Sequence, residues 1–408
     1  MLGLGLSLTT GGVATPAYVV LAKAFVSRVE ADGGTVDSFA CLKTDMAYLT
    51  SNPDAPAGYT VEWSSATVGS SAEFRINLVG GAGYTYTYAV TDTQATEVTG
   101  TGVMGGDIQA VTADLSTLVD GTVTLAVYLT GAGGDGNVVT DTANLVGYTG
   151  LLDTYSGAAA AYSLRLLDTS YTGDAIVVRR ASDNTTQAIG FVNNELDTTS
   201  LESFCSGTDG FVTTWYDQSG NGYDAAQTTA GSQPKIVSSG STILENGKAA
   251  VQFDGGLDQL TSTFGTTYNQ PTYSFLTHNF TSAPSAFDGL IGSIGTEHRL
   301  ITGGSLEYTL QAGGALRYNQ YSTNQSLVSY KIQVSDPKLF FNGTQQSVSA
   351  GTQIGTAGLQ GVILGGITSG SGGGNAPAQI QELVIYGSDQ DSNRTGIETN
   401  INDFYSIY

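Results

Sequence analysis

Between Tyr59 and Gly147 apolar and polar residues alternate in short runs: Thr60–Ala66, Ala72–Leu78, Tyr84–Thr91, Thr122–Thr130 and Val138–Leu145. A period of two gives each run one apolar face, and turn residues recurring about every 8–12 positions predict a small β-sandwich over 57–147. Ahead of it, Leu2, Leu4, Leu6 and Leu8 alternate with Gly3, Gly5 and Ser7, a short strand pattern. Thr15-Pro16 then opens a helix over Ala17–Glu30, and a second helix follows from about Ser38, with Phe39, Leu42, Met46 and Leu49 on one face. Such a hairpin cannot bury its stripes alone, so residues 1–56 are expected to act as an anchor against a neighbour.

Beyond a Gly-rich linker at 147–157, the segment 151–408 returns to strands. Phe211–Tyr216 is rich in β-branched and aromatic residues and runs into the polar turn Asp217-Gln218-Ser219-Gly220-Asn221-Gly222. Near the end, Pro337–Gly343 closes on an Asn-Gly turn, Gly361–Gly366 and Ala378–Tyr386 follow as strands, and Asp389–Tyr405 carries Ile397, Ile401 and Phe404 at helical spacing. Ser388 or Asp389 is the expected cap of that helix. The fold class is therefore mostly β, with an N-terminal strand and helix hairpin, a sandwich, a jelly roll and a short C-terminal helix.

Composition narrows the function. Fifty-five glycines, 22 tyrosines and only 12% charged residues suit turns and β surfaces rather than long charged helices. Fourteen basic residues against 36 acidic give a net charge of −22, which repels phosphate backbones and argues against nucleic acid. No apolar run approaches the length of a membrane helix, and the first residues lack the basic start and cleavage site of a signal peptide. Cys41 and Cys205 fall in different segments, which supports no disulfide framework, and His278 and His298 have no partner at metal-ligand spacing.

Two loops invite a metal reading. Asp217, Ser219, Asn221 and Asp224 imitate the opening of a calcium loop, although Thr228 stands where its final acid would be, and a hydrogen-bonded turn accounts for the same residues. Asp135-Gly136-Asn137 with Asp141 allows the same two readings. Calcium is thus the only cofactor under consideration. Trp215, Asp217 and Asn221, at the end of one strand, are the candidate carbohydrate-binding residues, with Trp215 as a sugar platform or as core.

Three resemblances go further. Asp120–Leu145 resembles the last two strands of bacterial immunoglobulin-like domains found in adhesins and phage virion proteins. The order of strand with Asn-Gly, Leu-Gly-Gly strand and Ile-x-Glu-Leu-x-Ile-Tyr resembles the C-terminal half of concanavalin-like jelly rolls, including laminin-G and pentraxin modules. Ala160–Leu167, Tyr171–Asp183, Phe211–Asp224 and Gly247–Gly255 resemble, in this order, the N-terminal half of the catalytic domain of glycoside hydrolase family 54 α-L-arabinofuranosidases. That last resemblance implies a jelly roll and two carboxyl groups: a nucleophilic Glu in the middle third, matched by Glu297 or Glu307, and an acid/base Asp directly after a Gly-Gly. Here Gly365-Gly366 is followed by Ile367 and Thr368, so the implied proton donor is missing.

Since the scaffold matches and the chemistry does not, the expectation is a non-enzymatic component of a phage virion, a decoration, fibre or tail protein. Its N-terminal segment would contact other virion proteins, as a homo-oligomer, and its jelly roll would present a surface to host polysaccharide without entering a membrane. The alternative is a glycoside hydrolase of the α-L-arabinofuranosidase type, or a capsule depolymerase, with Glu297 as its catalytic candidate.

Overall fold

The computed structural model describes residue 56 and residues 58–408, apart from 132–133, 303–306, 321, 352 and 368–373. The expected anchor of residues 1–56, and Cys41 with it, therefore lies almost wholly outside the described residues. The chain divides into two compact units, residues 1–148 and 149–408.

In the first unit two antiparallel layers face each other. One is the sheet Thr60–Trp63, Ser71–Asn77 and Ile108–Asp114, in the spatial order first, second, third. The other runs Thr67–Val68, Val139–Leu145, Gly121–Gly131, Thr85–Thr91 and Glu97–Val103, its short first strand pairing parallel to Asn144–Leu145. Alternate residues such as Phe74, Ile76, Val90, Val123 and Leu125 turn inward to make the core, with Phe74 edge-on to Tyr88 at 5.1 Å. The strands Glu97–Val103 and Ile108–Asp114 are additions to those the alternation predicts.

The second unit is a jelly-roll-like network of antiparallel strands with a C-terminal helix. Its centre is Pro377–Tyr386. Thr272–Phe280 pairs along one edge of that strand, while Ala158–Ser163 and Val251–Asp254 share the other edge end to end. The opposing layer runs from Ile176–Arg180 through Gly210–Trp215, the short Ala225–Ala226, Leu260–Tyr268, Leu359–Leu364 and Gly289–Gly292 to His298–Thr302 and Tyr308–Ala312. Trp215, Phe253, Leu276, Leu364, Ile380 and Leu383 fill the space between the layers.

The central strand is buried on both faces, because the helix Arg394–Tyr405 lays Ile397, Ile401 and Tyr405 over Val384, Tyr386 and Phe275 on its outer side. This explains the run Ile380–Tyr386, apolar except at Gln381 and Glu382 and unbroken over Leu383–Tyr386, which an alternating, half-exposed strand would not have. The one acid in the run, Glu382, is buried and answered in full. Arg165 Nε and Nη2 donate to it at 2.8 and 3.0 Å, and Ser163 Oγ donates at 2.8 Å. The helix begins later than expected: Asn393 is the residue before it, and neither Ser388 nor Asp389 caps it.

Candidate functional site

The corner after Trp215 is built by hydrogen bonds. Asp217 Oδ1 accepts the backbone N–H groups of Ala161 (2.8 Å) and Ser219 (2.9 Å). Its Oδ2 accepts from Ser219 Oγ (2.7 Å) and the Tyr223 N–H (3.0 Å). Four donors fill the four acceptor positions of the carboxylate, which is buried at 4% exposure. Asp224 Oδ1 accepts the N–H of Asp217 itself, and Asn221 Nδ2 donates to the carbonyls of Ala158 and Ala159. Gln218 reaches the far side: its Oε1 accepts from Leu167 N–H at 2.7 Å, and its Nε2 donates to the Ser163 and Arg165 carbonyls. Gly220 and Gly222 supply the two left-handed residues of the turn, at φ of 84° and 72°.

This arrangement makes the corner a hydrogen-bonded turn and Trp215 a core residue, and so corrects the reading of Trp215 as a sugar platform. Trp215 is completely buried, edge-on to Tyr162, with its indole N–H donated to the Ser163 carbonyl at 3.2 Å, so it offers no face to a sugar. The four lone-pair positions of Asp217 are taken, and the NH2 group of Asn221 is spent on the carbonyls of Ala158 and Ala159. Asp217, Ser219, Asn221 and Asp224 satisfy one another and pin the strand Ala158–Ser163 to the end of Gly210–Trp215. In the first unit, Asp141 is likewise engaged, accepting from the Trp63 and Thr142 N–H groups, while Asp135 accepts from Thr130 Oγ1 at 2.5 Å. The histidines belong to the core. His278 Nε2 lies 2.9 Å from Tyr308 Oη and His298 Nε2 lies 2.8 Å from Thr272 Oγ1, and burial lowers their pKa values to about 3 and about 4. Cys205 is a buried free thiol whose pKa burial raises.

Glu297 is placed differently. It is exposed at the rim of a cavity of about 320 Å³ lined by Ser293, Thr296, Arg299 and Ile294 on its own segment and by Ile363 and Ile367 across from it. Gln311 Nε2, from the neighbouring strand, donates to Glu297 Oε2 at 3.2 Å. Among the described residues Glu297 is the one carboxylate lining this cavity. The other candidate, Glu307, sits beside Arg317, 3.9 Å from its Nη1, and accepts from Ser349. Ile367 stands after Gly365-Gly366 with its side chain over Gly289, where an added Cβ would come within 2.1 Å of Ile367 Cγ2. The loop thus brings Glu297 and the residue after the Gly-Gly to one cavity, some seventy positions apart in sequence. Arg299, also in the lining, was not singled out by sequence reasoning. Its only signal was its place two residues from Glu297, across the buried His298.

A larger cavity of about 440 Å³ lies elsewhere in the unit, bordered by Glu195, Asp197, Glu202, Thr242, Lys248 and Phe404. Its charged groups are engaged: Lys248 Nζ pairs with Glu195 at 2.6 Å, Asp197 accepts from Ser200, and Glu202 accepts the Thr242 N–H.

Comparison with known proteins bears on residues 153–259, which match the family model for the catalytic domain of α-L-arabinofuranosidase B. A curated relative, the α-L-arabinofuranosidase B of Emericella nidulans, is 38% identical over 89 residues, 20% of this chain and 18% of its own length. This chain therefore aligns with under a fifth of that relative. Among solved structures, an arabinofuranosidase complexed with arabinofuranosyl-α-1,2-xylobiose is 16% identical over 62% of this chain and 64% of its own, with a TM-score of 0.45. A mutant GH54 α-L-arabinofuranosidase soaked with 4-nitrophenyl α-L-arabinofuranoside is 17% identical over the same shares, with a TM-score of 0.46.

These findings overturn the expectation of a non-enzymatic phage virion component, decoration or tail fibre. They support neither that role nor the immunoglobulin-like likeness, and they favour the alternative. Part of the second unit is similar to the catalytic domain of a glycoside hydrolase.

Proposed function

We propose that residues 149–408 form a glycoside hydrolase domain of the α-L-arabinofuranosidase type, working at the Glu297 cavity. The observation that carries the reading is the family match over residues 153–259, a range that contains the hydrogen-bonded Asp217 corner. The match ends before Glu297, so the site itself is assigned on the cavity: a carboxylate at its rim, hydroxyls from Ser293 and Thr296 beside it, and apolar walls. A sugar ring needs this mixture of polar groups and apolar contact.

The chemistry that follows is lopsided. A retaining glycosidase uses one carboxylate to attack the anomeric carbon and one carboxylic acid to protonate the departing oxygen. Glu297 is suited to the first role. Ile367 cannot perform the second, so only aglycones that leave as stable anions should depart readily. The test is release of dinitrophenolate from a 2,4-dinitrophenyl α-L-arabinofuranoside, compared with methyl arabinofuranoside. Turnover is expected on the first and not on the second, and Glu297→Gln should abolish it. Ile367→Asp should raise turnover of the methyl glycoside by about 10²-fold, the lower end of what a positioned general acid supplies. No release from the activated substrate by either the native chain or Ile367→Asp would end the proposal.

A further inference from the structure

One charged side chain at the Glu297 cavity makes neither an ion pair nor a hydrogen bond among the described residues. The chain is strongly acidic, with 36 acidic residues against 14 basic, so a cation has little difficulty finding a partner. Every other lysine or arginine among the described residues donates a hydrogen bond or lies in an ion pair. Arg299 does neither. Its Nε is buried without a hydrogen-bond partner, and its side chain borders the cavity against Ile294, Ile363 and Ile367. None of the residues of the second unit outside the described set is acidic, so the sequence holds no further carboxylate there to answer it.

A half-buried guanidinium against apolar walls loses hydration without gaining a counter-charge, and that cost is recovered when an anion enters. Glu297 does not fill the role: its carboxylate accepts from Gln311 and forms no ion pair with Arg299. The two side chains flank His298, which is buried, and residues two apart along extended backbone are separated by about 6.6 Å. That is roughly the width of one sugar ring. The planar fork of arginine matches a carboxylate with two parallel N–H donors.

Resting on the reading of this cavity as a glycoside site, we propose that it selects acidic glycans: a sugar at Glu297 linked to, or bearing, a uronate whose carboxylate is held by Arg299. Arg299 is then a specificity-determining residue, acting on the ring next to the bond that Glu297 addresses. The ligand class is a carboxylated saccharide, and a sulfate ester is the competing anion.

Calorimetric titration of the full chain with an arabinofuranosyl-glucuronate disaccharide and with the same disaccharide after reduction of its carboxyl to an alcohol isolates the charge. The acidic form should bind about tenfold more tightly, with the advantage shrinking in 0.5 M NaCl, since an ion pair is screened by salt. Arg299→Gln should bring the ratio to about one, and Arg299→Lys should keep part of it, with an unfolding midpoint check on both. Should Arg299→Gln fail to fold, the native ratio and the lysine variant still decide the matter. Equal affinity for the two disaccharides would overturn the role of Arg299 and leave the glycoside site standing. Binding of neither would overturn both. Tighter binding of a 6-O-sulfated analogue than of the uronate would overturn the carboxylate assignment.

Discussion

Asp258 shows how one side chain in the loop following Val251–Asp254 sets a pH dependence. Burial pushes its pKa up from 3.8 to about 7, the negative charge of Asp254 adds to the push, and the Asp254 N–H at 3.2 Å offsets only part of it. An unfolded chain ionises this carboxyl near 3.8, whereas the folded chain holds the proton until about 7. Stability from this group is therefore complete below pH 4 and lost as the pH rises through 7. Asparagine keeps the hydrogen-bond acceptor and cannot ionise. Asp258→Asn should accordingly stabilise the protein by about 1–2 kcal/mol at pH 8, a value reduced from the full shift for partial solvent exposure, and by nothing near pH 4. Urea unfolding at the two pH values checks this, and an equal effect at both would contradict the assignment. Residue-scale legibility was uneven. The heptad from Tyr216 to Gly222 announced a specific corner, because tight turns dictate residue type. It did not announce that Trp215 would be core, since the same side chain serves either purpose and only its neighbours decide. Arg299 was invisible for the opposite reason: a lone arginine becomes anomalous only when its surroundings contain no partner.

At the scale of elements, the C-terminal helix depends on a charge cluster that precedes it. Lys331, on the buried strand Ser326–Ile332 and only 2% exposed, directs Nζ to Asp336, Asp389 and Asp391 at 2.9, 2.8 and 2.8 Å. Lys338 joins from the next strand, 2.7 Å from Asp391 and 3.0 Å from Asp336. Burial alone would lower the pKa of Lys331, but the hydrogen bonds of the three carboxylates outweigh it and raise it. This cluster also explains why the helix starts at Arg394 and not near Asp389. The carboxylate of Asp389 is drawn to Lys331, and its Oδ1 accepts the Asp391 N–H, closing a turn before the helix begins. Lys331→Met strands carboxylates beside a buried site and should cost about 2–4 kcal/mol, whereas Lys338→Met, at the rim, should cost under about 1. Hydrogen exchange in Arg394–Tyr405 should quicken in the first variant and hold steady in the second. Equal protection in both would show that apolar packing alone holds the helix. A missed strand has an equally local cause. Glu97–Val103 lacks large apolar residues because its neighbour supplies them: Tyr88 and Tyr86 lie over Gly100 and Gly102, where an added Cβ would meet the Tyr88 ring at 2.4 Å and the Tyr86 hydroxyl at 2.3 Å. Alternation within one strand cannot reveal cover lent by the next.

At the scale of the molecule, the two units differ in what holds them. The core of the first is assembled from residues between Tyr59 and Leu145, and those of the second from residues between Leu151 and Tyr405. The second contains two buried layers, one between its sheets and one beneath the helix, together with the Arg165–Glu382 pair and the Asp217 corner. A unit with its own continuous core, and with the buried charges of Glu382 and Lys331 answered from within, has what cooperative folding requires. Residues 149–408 expressed alone should therefore unfold in a single transition. The midpoint should lie within about 3 °C of that of the same unit in the full chain, a difference worth under about 1 kcal/mol for a body of this size. Each unit carries one of the two tryptophans, Trp63 in the first and Trp215 in the second, and both are buried. Fluorescence of a Trp63→Phe full chain reports the second unit separately, which makes the comparison direct. A fragment that binds hydrophobic dye and melts without a sharp transition would mean that the fold of the second unit is completed by residues before 149. In that case the glycoside-directed reading would have to be tested on the whole chain alone, because the Glu297 cavity is shaped by loops at the far end of the same sheet network.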